Sequence, residues 1–147
     1  MRQDLVSELV RADRRWRSYA ERKFLRFDIS EARAMTLIWV LRLGNGVWQT
    51  TVAKSIGIRA ATLAQLVTQL EAAKLIERRS DPTDQRAKAL WLTDDGSALA
   101  CRLEELLNEL RTDVLADFEI SDLEAAIRVL RGISASKLKP HRFQLKK

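Results

Sequence analysis

The stretch from Ile58 to Thr93, IRAATLAQLVTQLEAAKLIERRSDPTDQRAKALWLT, changes its hydrophobic period halfway, and that change limits the folds open to this chain. Leu63, Leu66, Val67 and Leu70 fall at i, i+3, i+4 and i+7, one face of a helix. The opposite face carries Arg59, Thr62, Gln65, Thr68 and Gln69, which can hydrogen-bond and include no acid. Leu75 to Arg79 and Lys88 to Thr93 then read as two short strands around the turn-rich Ser-Asp-Pro-Thr-Asp-Gln-Arg. A polar-faced helix leading into a basic-tipped hairpin suits a groove reader better than a catalyst.

The flanks read as helices. Residues 4–26 put Leu5, Leu9, Ala12, Trp16, Tyr19 and Ala20 on one stripe. Ser30 is a candidate N-cap for a second helix to about Leu43, whose Ala34, Met35, Leu37, Ile38 and Leu41 crowd more than one face and imply burial. Gly44-Asn45-Gly46 stops it. A short helix from Gln49 to Ile56 ends at Gly57, which permits a tight turn into the helix at 59–74. Two short helices joined around a glycine are the helix-turn-helix pattern. Thr93 caps a long helix to about Phe118, with Leu99, Leu103, Leu106, Leu110 and Val114 as a seam near the coiled-coil period. Ser121-Asp-Leu-Glu124 reads as a capping box for a last helix with Leu123, Ile127, Leu130 and Ile133 as its apolar row. From Lys137 the tail is basic.

At 147 residues the chain is expected to form one domain, or one protomer of an intimate oligomer. Its outer helices carry more apolar surface than a small central motif can cover. Pairing with a second copy is the simplest way to bury it, the alternative being a monomeric bundle closed on itself. Lys and Arg exceed Asp and Glu by 26 to 20, a formal +6 that favours a polyanionic partner. One cysteine excludes an internal disulfide framework and a cysteine-based zinc cluster, and no metal or cofactor is expected. The N-terminal residues show no signal-peptide core, and no run approaches the roughly 20 apolar residues of a membrane span. A reducing, cytoplasmic setting is the expectation. Phosphate-binding glycine loops, HExxH and a nucleophile elbow are absent, so catalysis is not expected. Cys101 reads as a structural thiol near the long seam, and His141 as a surface side chain of the tail.

At these residues the chain resembles the MarR family of winged helix-turn-helix transcription regulators, its SlyA-like branch in particular. The resemblance is carried by Val52-Ala53, Gly57-Ile58, Thr62, Leu70-Glu71, Leu75-Ile76-Glu77-Arg78, Asp84-Gln-Arg86-Ala-Lys88 and Leu92-Thr93-Asp-Asp-Gly96. Three positions depart from the pattern. Lys74 stands where a small residue usually follows the recognition helix, Arg59 where a capping residue often sits, and Gln65 where relatives often carry a base.

The resemblance implies a mainly α fold with a small β-wing and N- and C-terminal dimerisation helices. Residues 30–93 would form the DNA-binding lobe, with 1–29 and 94–147 pairing. It implies a homodimer acting as a repressor on a pseudo-palindromic operator. The helix at 59–74 would enter the major groove of double-stranded DNA through Arg59, Ala60, Ala61, Thr62, Gln65, Thr68 and Gln69, the glutamines offering a donor–acceptor pair to adenine. Arg86 would extend the wing into a narrow minor groove, and Arg79 and Lys88 would add phosphate contacts. Asp84 would orient a wing arginine, Arg78 or Arg86, by a salt bridge. Family members often bind small phenolic or carboxylate effectors. Arg14, Trp16, Arg17, Tyr19, Trp39 and Arg42 are the candidates for such a site, with ordinary core and interface aromatics as the competing explanation. The rival to DNA binding is a winged helix that binds another protein.

Overall fold

The computed structural model describes residues 1–84 and 86–136. Gln85, His141 and the basic tail lie outside them. The chain divides into two compact units, Met1–Thr112 and Asp113–Lys147.

In the first unit α1 (Arg2–Phe24) passes through a single 3-10 turn into α2 (Glu31–Leu43). Ser30 caps α2 as expected, its hydroxyl oxygen accepting from Arg33 N at 3.4 Å. The crowded faces of α2 are buried: Ala34, Leu37, Ile38 and Val40 are inaccessible to solvent. Of the α1 stripe only the C-terminal end packs. Ala20 and Phe24 are buried and Trp16 and Tyr19 lie against the core, while Leu5, Val6 and Val10 stay exposed.

The glycine pair after α2 does more than end a helix. Asn45 Oδ1 accepts from Leu92 N at 2.8 Å, and Gly46 N, at φ +86°, donates to Leu90 O at 2.9 Å. A Cβ on Gly46 would stand 3.3 Å from the Trp91 ring. These contacts seat β1 (Val47–Trp48), a strand not anticipated from the sequence, beside the hairpin of β2 (Ile76–Ser80) and β3 (Lys88–Leu92). The sheet order is β1-β3-β2, antiparallel throughout, with Val47 opposite Leu90 and Arg78 opposite Leu90. Strand alternation puts Ile76 and Leu90 in the core and turns Trp48, Glu77, Arg79 and Trp91 to the other face.

Between β1 and β2 lie α3 (Gln49–Ile56) and α4 (Ala60–Ala72), joined at Gly57, whose φ of +79° ends α3 in the left-handed region. Leu63, Val67 and Leu70 of α4 are fully buried and Leu66 half-buried, as the periodicity requires. Lys74 adopts the left-handed conformation (φ +58°) despite its side chain. Leu75 N donates to Leu70 O and Lys74 N to Glu71 O, both at 2.9 Å, so a Schellman turn closes α4 without glycine.

Thr93 caps α5 (Asp94–Leu115), its hydroxyl accepting from Gly96 N at 3.0 Å while donating to Lys74 O at 2.8 Å. The long seam differs from the expectation. Of its residues Leu103 and Leu110 are buried within this one chain and Leu99 and Leu106 are half-buried against its core, while Val114 stays exposed. The fully buried row of the helix is Ala100, Leu103, Leu107 and Leu110, so most of the seam is covered without a second copy. Cys101, expected near the buried seam, is exposed. A row of leucines spaced by three and four does not say whether its cover lies in the same chain or another.

In the second unit α6 (Ile120–Ala135) begins one residue before the expected capping box. Glu119 is its N-cap, with no side-chain bond, and Ser121 lies inside the first turn. Ile120, Ile127, Val129, Leu130 and Ile133 are exposed, as are Val114, Leu115 and Phe118 before them. No helix among the described residues is long and apolar enough to cross a membrane.

Candidate nucleic-acid interface

The buried row of α4 fixes which residues the helix shows to solvent. With Leu63, Val67 and Leu70 inward, Arg59, Ala60, Ala61, Thr62, Gln65, Thr68 and Gln69 are all exposed. Ala61, Thr62, Gln65, Thr68 and Gln69 fall on the side away from the buried row, and Arg59 and Ala60 are exposed at the open end of the helix. From Ala60 to Leu70 this helix contains no ionised residue, and Arg59 precedes it at the N-cap without a side-chain cap bond. Two alanines at its start leave the backbone open to close approach by a large partner. The amides and the Thr62 hydroxyl supply donors and acceptors without charge.

The wing is attached to this helix by an ion pair that the sequence reading assigned elsewhere. Arg78, expected to pair with Asp84, is held by Glu71: Nε donates to Oε2 at 2.8 Å, the Arg78 backbone N donates to Oε1 at 3.0 Å, and a second guanidinium nitrogen also bonds Oε2. The same guanidinium donates to Thr68 Oγ1 at 3.0 Å. The reason is geometric. Arg78 lies on the core-facing side of β2, toward α4, whereas Asp84 is beyond the strand ends at the wing tip. Asp84 instead accepts from Arg86 N at 2.9 Å, a local turn bond. Thr68 donates its own hydroxyl proton to Ala64 O at 2.9 Å, so it serves the clasp before any ligand.

The hydrogen bonds from Arg78 hold the Glu71 carboxyl below its ordinary range, against a smaller opposing effect of burial. A depressed carboxylate stabilises the fold above its unfolded pKa and loses that contribution as pH falls through the folded value. Glu71→Gln is therefore expected to lower stability by about 1 kcal/mol at neutral pH, a partly exposed pair being discounted for screening. The difference from the parent should narrow as the pH is lowered from neutral toward about 3. Urea titrations at both pH values check this; an equal gap at both would show that charge is not what matters at the clasp.

Arg79 turns to the other face, stacking 4.4 Å over the Trp91 ring and pairing with Glu77 at 2.8 Å. It is thus partly neutralised, less available for a phosphate than expected. Lys88 donates to Ser80 Oγ at 2.9 Å. Arg59, Arg86 and Lys88 form no ion pair with a carboxylate among the described residues. The wing tip is built by Asp81, whose Oδ1 accepts from Thr83 N at 2.7 Å and Thr83 Oγ1 at 2.5 Å. These bonds, with one from the Trp48 indole, hold the Asp81 carboxyl down to about 2. Trp48, Asp81 and Glu71 are not among the site residues expected from the sequence. The Asp-Pro-Thr turn signal was readable, but the partners across the fold were not.

The residues proposed for an effector site are placed otherwise than a charged crevice requires. Arg17 pairs with Asp13 at 3.2 Å and with Glu31 at 3.5 Å. Arg42 stacks on Trp39 at 5.0 Å and makes two bonds to Glu104, at 2.7 and 3.0 Å, which Arg111 joins at 3.2 Å. Burial pushes the Glu104 carboxyl up, but the bonds from Arg42 and Arg111 outweigh it and hold the carboxyl below its usual value. Tyr19 accepts from Arg15 at 2.9 Å and, with Trp16 and Trp39, packs against the core. Arg14 is exposed.

The fold has counterparts among known proteins. A sequence profile described as MarR family matches residues 27–87. Among solved structures, the transcriptional regulator PA3341 is 30% identical, the alignment covering 89% of this chain and 96% of that one at a TM-score of 0.81. MepR from S. aureus, solved as a DNA complex, is 25% identical over 88% of this chain and 95% of its own, with a TM-score of 0.79. The regulator SlyA, at 18% identity and a TM-score of 0.80 over 89% and 92% of the two chains, shares the fold.

Proposed function

The chain belongs to the MarR family of transcription regulators, and from that premise we propose that it is a homodimeric, sequence-specific DNA-binding repressor. The observation that carries the reading is the exposed, acid-free side of α4 lying next to a wing whose tip holds Arg86 clear of any ion pair among the described residues. Such a face matches the major groove, whose base edges offer donors and acceptors rather than charge. Gln65 and Gln69 address adenine, and Thr62 a thymine methyl or a phosphate. Arg59, a cation at a helix N-terminus where the dipole disfavours it, becomes favourable against a phosphate. Arg86 reaches the adjacent minor groove, where narrow A·T tracts attract arginine. Residues 30–93 are the DNA-binding lobe, and the outer helices pair two copies so that their recognition helices stand about one DNA turn, roughly 34 Å, apart. The protein acts in the cytoplasm and as a binder rather than a catalyst. Release by a small phenolic or carboxylate ligand would require that ligand to compete with Glu104 for Arg42 or with Glu31 for Arg17, and to bind two conformations unequally.

Fluorescence anisotropy with labelled duplexes at several salt concentrations tests the proposal. Log affinity should fall linearly with log salt, by about 0.9 for each phosphate neutralised. Salt-insensitive retention would favour the protein-binding alternative. Arg86→Ala is expected to weaken operator binding at least about tenfold with the dimer intact. Unchanged affinity at moderate salt would remove the wing from recognition.

A further inference from the structure

Helix α3 starts without a side-chain cap. Its N-cap residue is Trp48, at φ −69° and ψ 138°, and the indole makes no bond to the helix. A Ser, Thr, Asp or Asn there would satisfy an open backbone N–H. Trp48 also leaves half its surface, 50%, in solvent, so the core gains little from it. A residue that serves neither the helix nor the core calls for another role.

The indole nitrogen supplies one. Trp48 Nε1 donates to Asp81 Oδ2 at 3.0 Å, across 33 residues of sequence. The two oxygens of Asp81 have separate tasks. Oδ1 shapes the wing turn through Thr83, and Oδ2 receives the indole. The pairing of β2 with β3 ends at Ser80 opposite Lys88. Past that point, the tip is bonded mainly to itself: Asp81 N to Ala87 O, Ala87 N to Asp84 O, and Arg86 N to Asp84 Oδ1. Among the described residues, the Trp48 bond is the one hydrogen bond tying residues 81–87 to anything outside the hairpin. Trp48 and Arg86 also line one cleft of about 140 Å³, with Gln49, Thr50, Ala87 and Lys88.

We propose that the Trp48–Asp81 hydrogen bond is a latch that sets the pose of the wing tip, and with it the reach of Arg86, relative to the helix-turn-helix. Trp48 is then a positioning residue for the minor-groove contact. It accepts an uncapped helix so that two parts of the reading surface move as one. The inference rests on the DNA-binding reading above.

Two variants of the full chain separate the latch from helix stability. Trp48→Phe keeps the ring and removes only the donor. Trp48→Ser removes the donor and supplies the missing cap, so it should melt at or above the parent temperature. Both are expected to bind the operator about tenfold more weakly, the scale of a lost hydrogen bond to a charged group. Both should also lose hydroxyl-radical protection at the wing-facing minor groove while keeping methylation protection of the major groove. Affinity within twofold of the parent would overturn the latch. So would loss of both footprints together in step with a lower melting temperature, the mark of a purely structural role. A parent protein without preference among duplexes would instead sink the DNA-binding reading itself.

Discussion

Gly96→Ala is expected to lower the free energy of unfolding by about 3 kcal/mol or more, the upper end of overpacking penalties. A Cβ on Gly96 would lie 1.9 Å from Leu75 O, 2.8 Å from its carbonyl carbon and 3.2 Å from its Cα. All three are backbone atoms, so no rotamer change can make room. The carbonyl is also held in place, accepting from Thr93 N at 3.2 Å, while Thr93 Oγ1 bonds both Lys74 O and Gly96 N. Three elements meet here: the Schellman turn of α4, the start of β2 and the first turn of α5. Relief requires α5 to slide off the base of the wing. Urea unfolding checks the expectation, and the melting temperature should fall by about 10 °C. A variant within 1 kcal/mol of the parent, taking ~1 kcal/mol as the ordinary cost of a point substitution, would show that this junction is softer than its geometry implies.

The second large effect concerns the proposed assembly. Ile127→Asp is expected to convert the proposed dimer to monomer and to reduce affinity for its DNA site about a hundredfold. Ile127 is 45% exposed, Leu130 42% and Ile133 45%, and Ile127 and Leu130 line one furrow of α6. Leu5, Val6 and Val10 of α1 are exposed to similar degrees. Since most of the α5 seam is covered within its own chain, these rows are where a second copy gains most. Burying such a side chain is worth about 1.5–3 kcal/mol, counted in both copies of a two-fold interface. An aspartate there would instead put an unpaired charge into the apolar contact in each copy. Losing the dimer separates the two half-site contacts, and linkage of that kind is worth about 10²–10⁴ in avidity. Sedimentation and anisotropy on one sample check both parts. A variant that stays dimeric would move the interface away from α6.

How much of this was legible in the sequence depended on the range of each signal. Ser30, Gly57 and Thr93 act within a few residues, and the helices they bound lie where the pattern puts them. The buried row of α4 followed from spacing alone, because one period decides which face is wet. β1 did not, since two residues become a strand only by pairing with Ala89 and Leu90, some forty positions on. The family pattern pairs a wing arginine, Arg78 or Arg86, with Asp84. The partner of Arg78 is Glu71, which the turn at Lys74 folds back beside β2. At α6, Ser-x-x-Glu has the form of a capping box, but Glu119 already takes the extended N-cap conformation and the helix starts earlier. Trp48 gave no signal as a site because its meaning lies in an absence, that of a cap, together with an acceptor in another element.

Selection of bound duplexes from a random pool with the purified protein tests the DNA-binding dimer most directly. The enriched sequences should share a pseudo-palindrome with half-sites about 10 base pairs apart, or a multiple of that, centre to centre, and A·T-rich flanks where the wings reach. Enrichment of a single unpaired half-site, or no enrichment at physiological ionic strength, would contradict it.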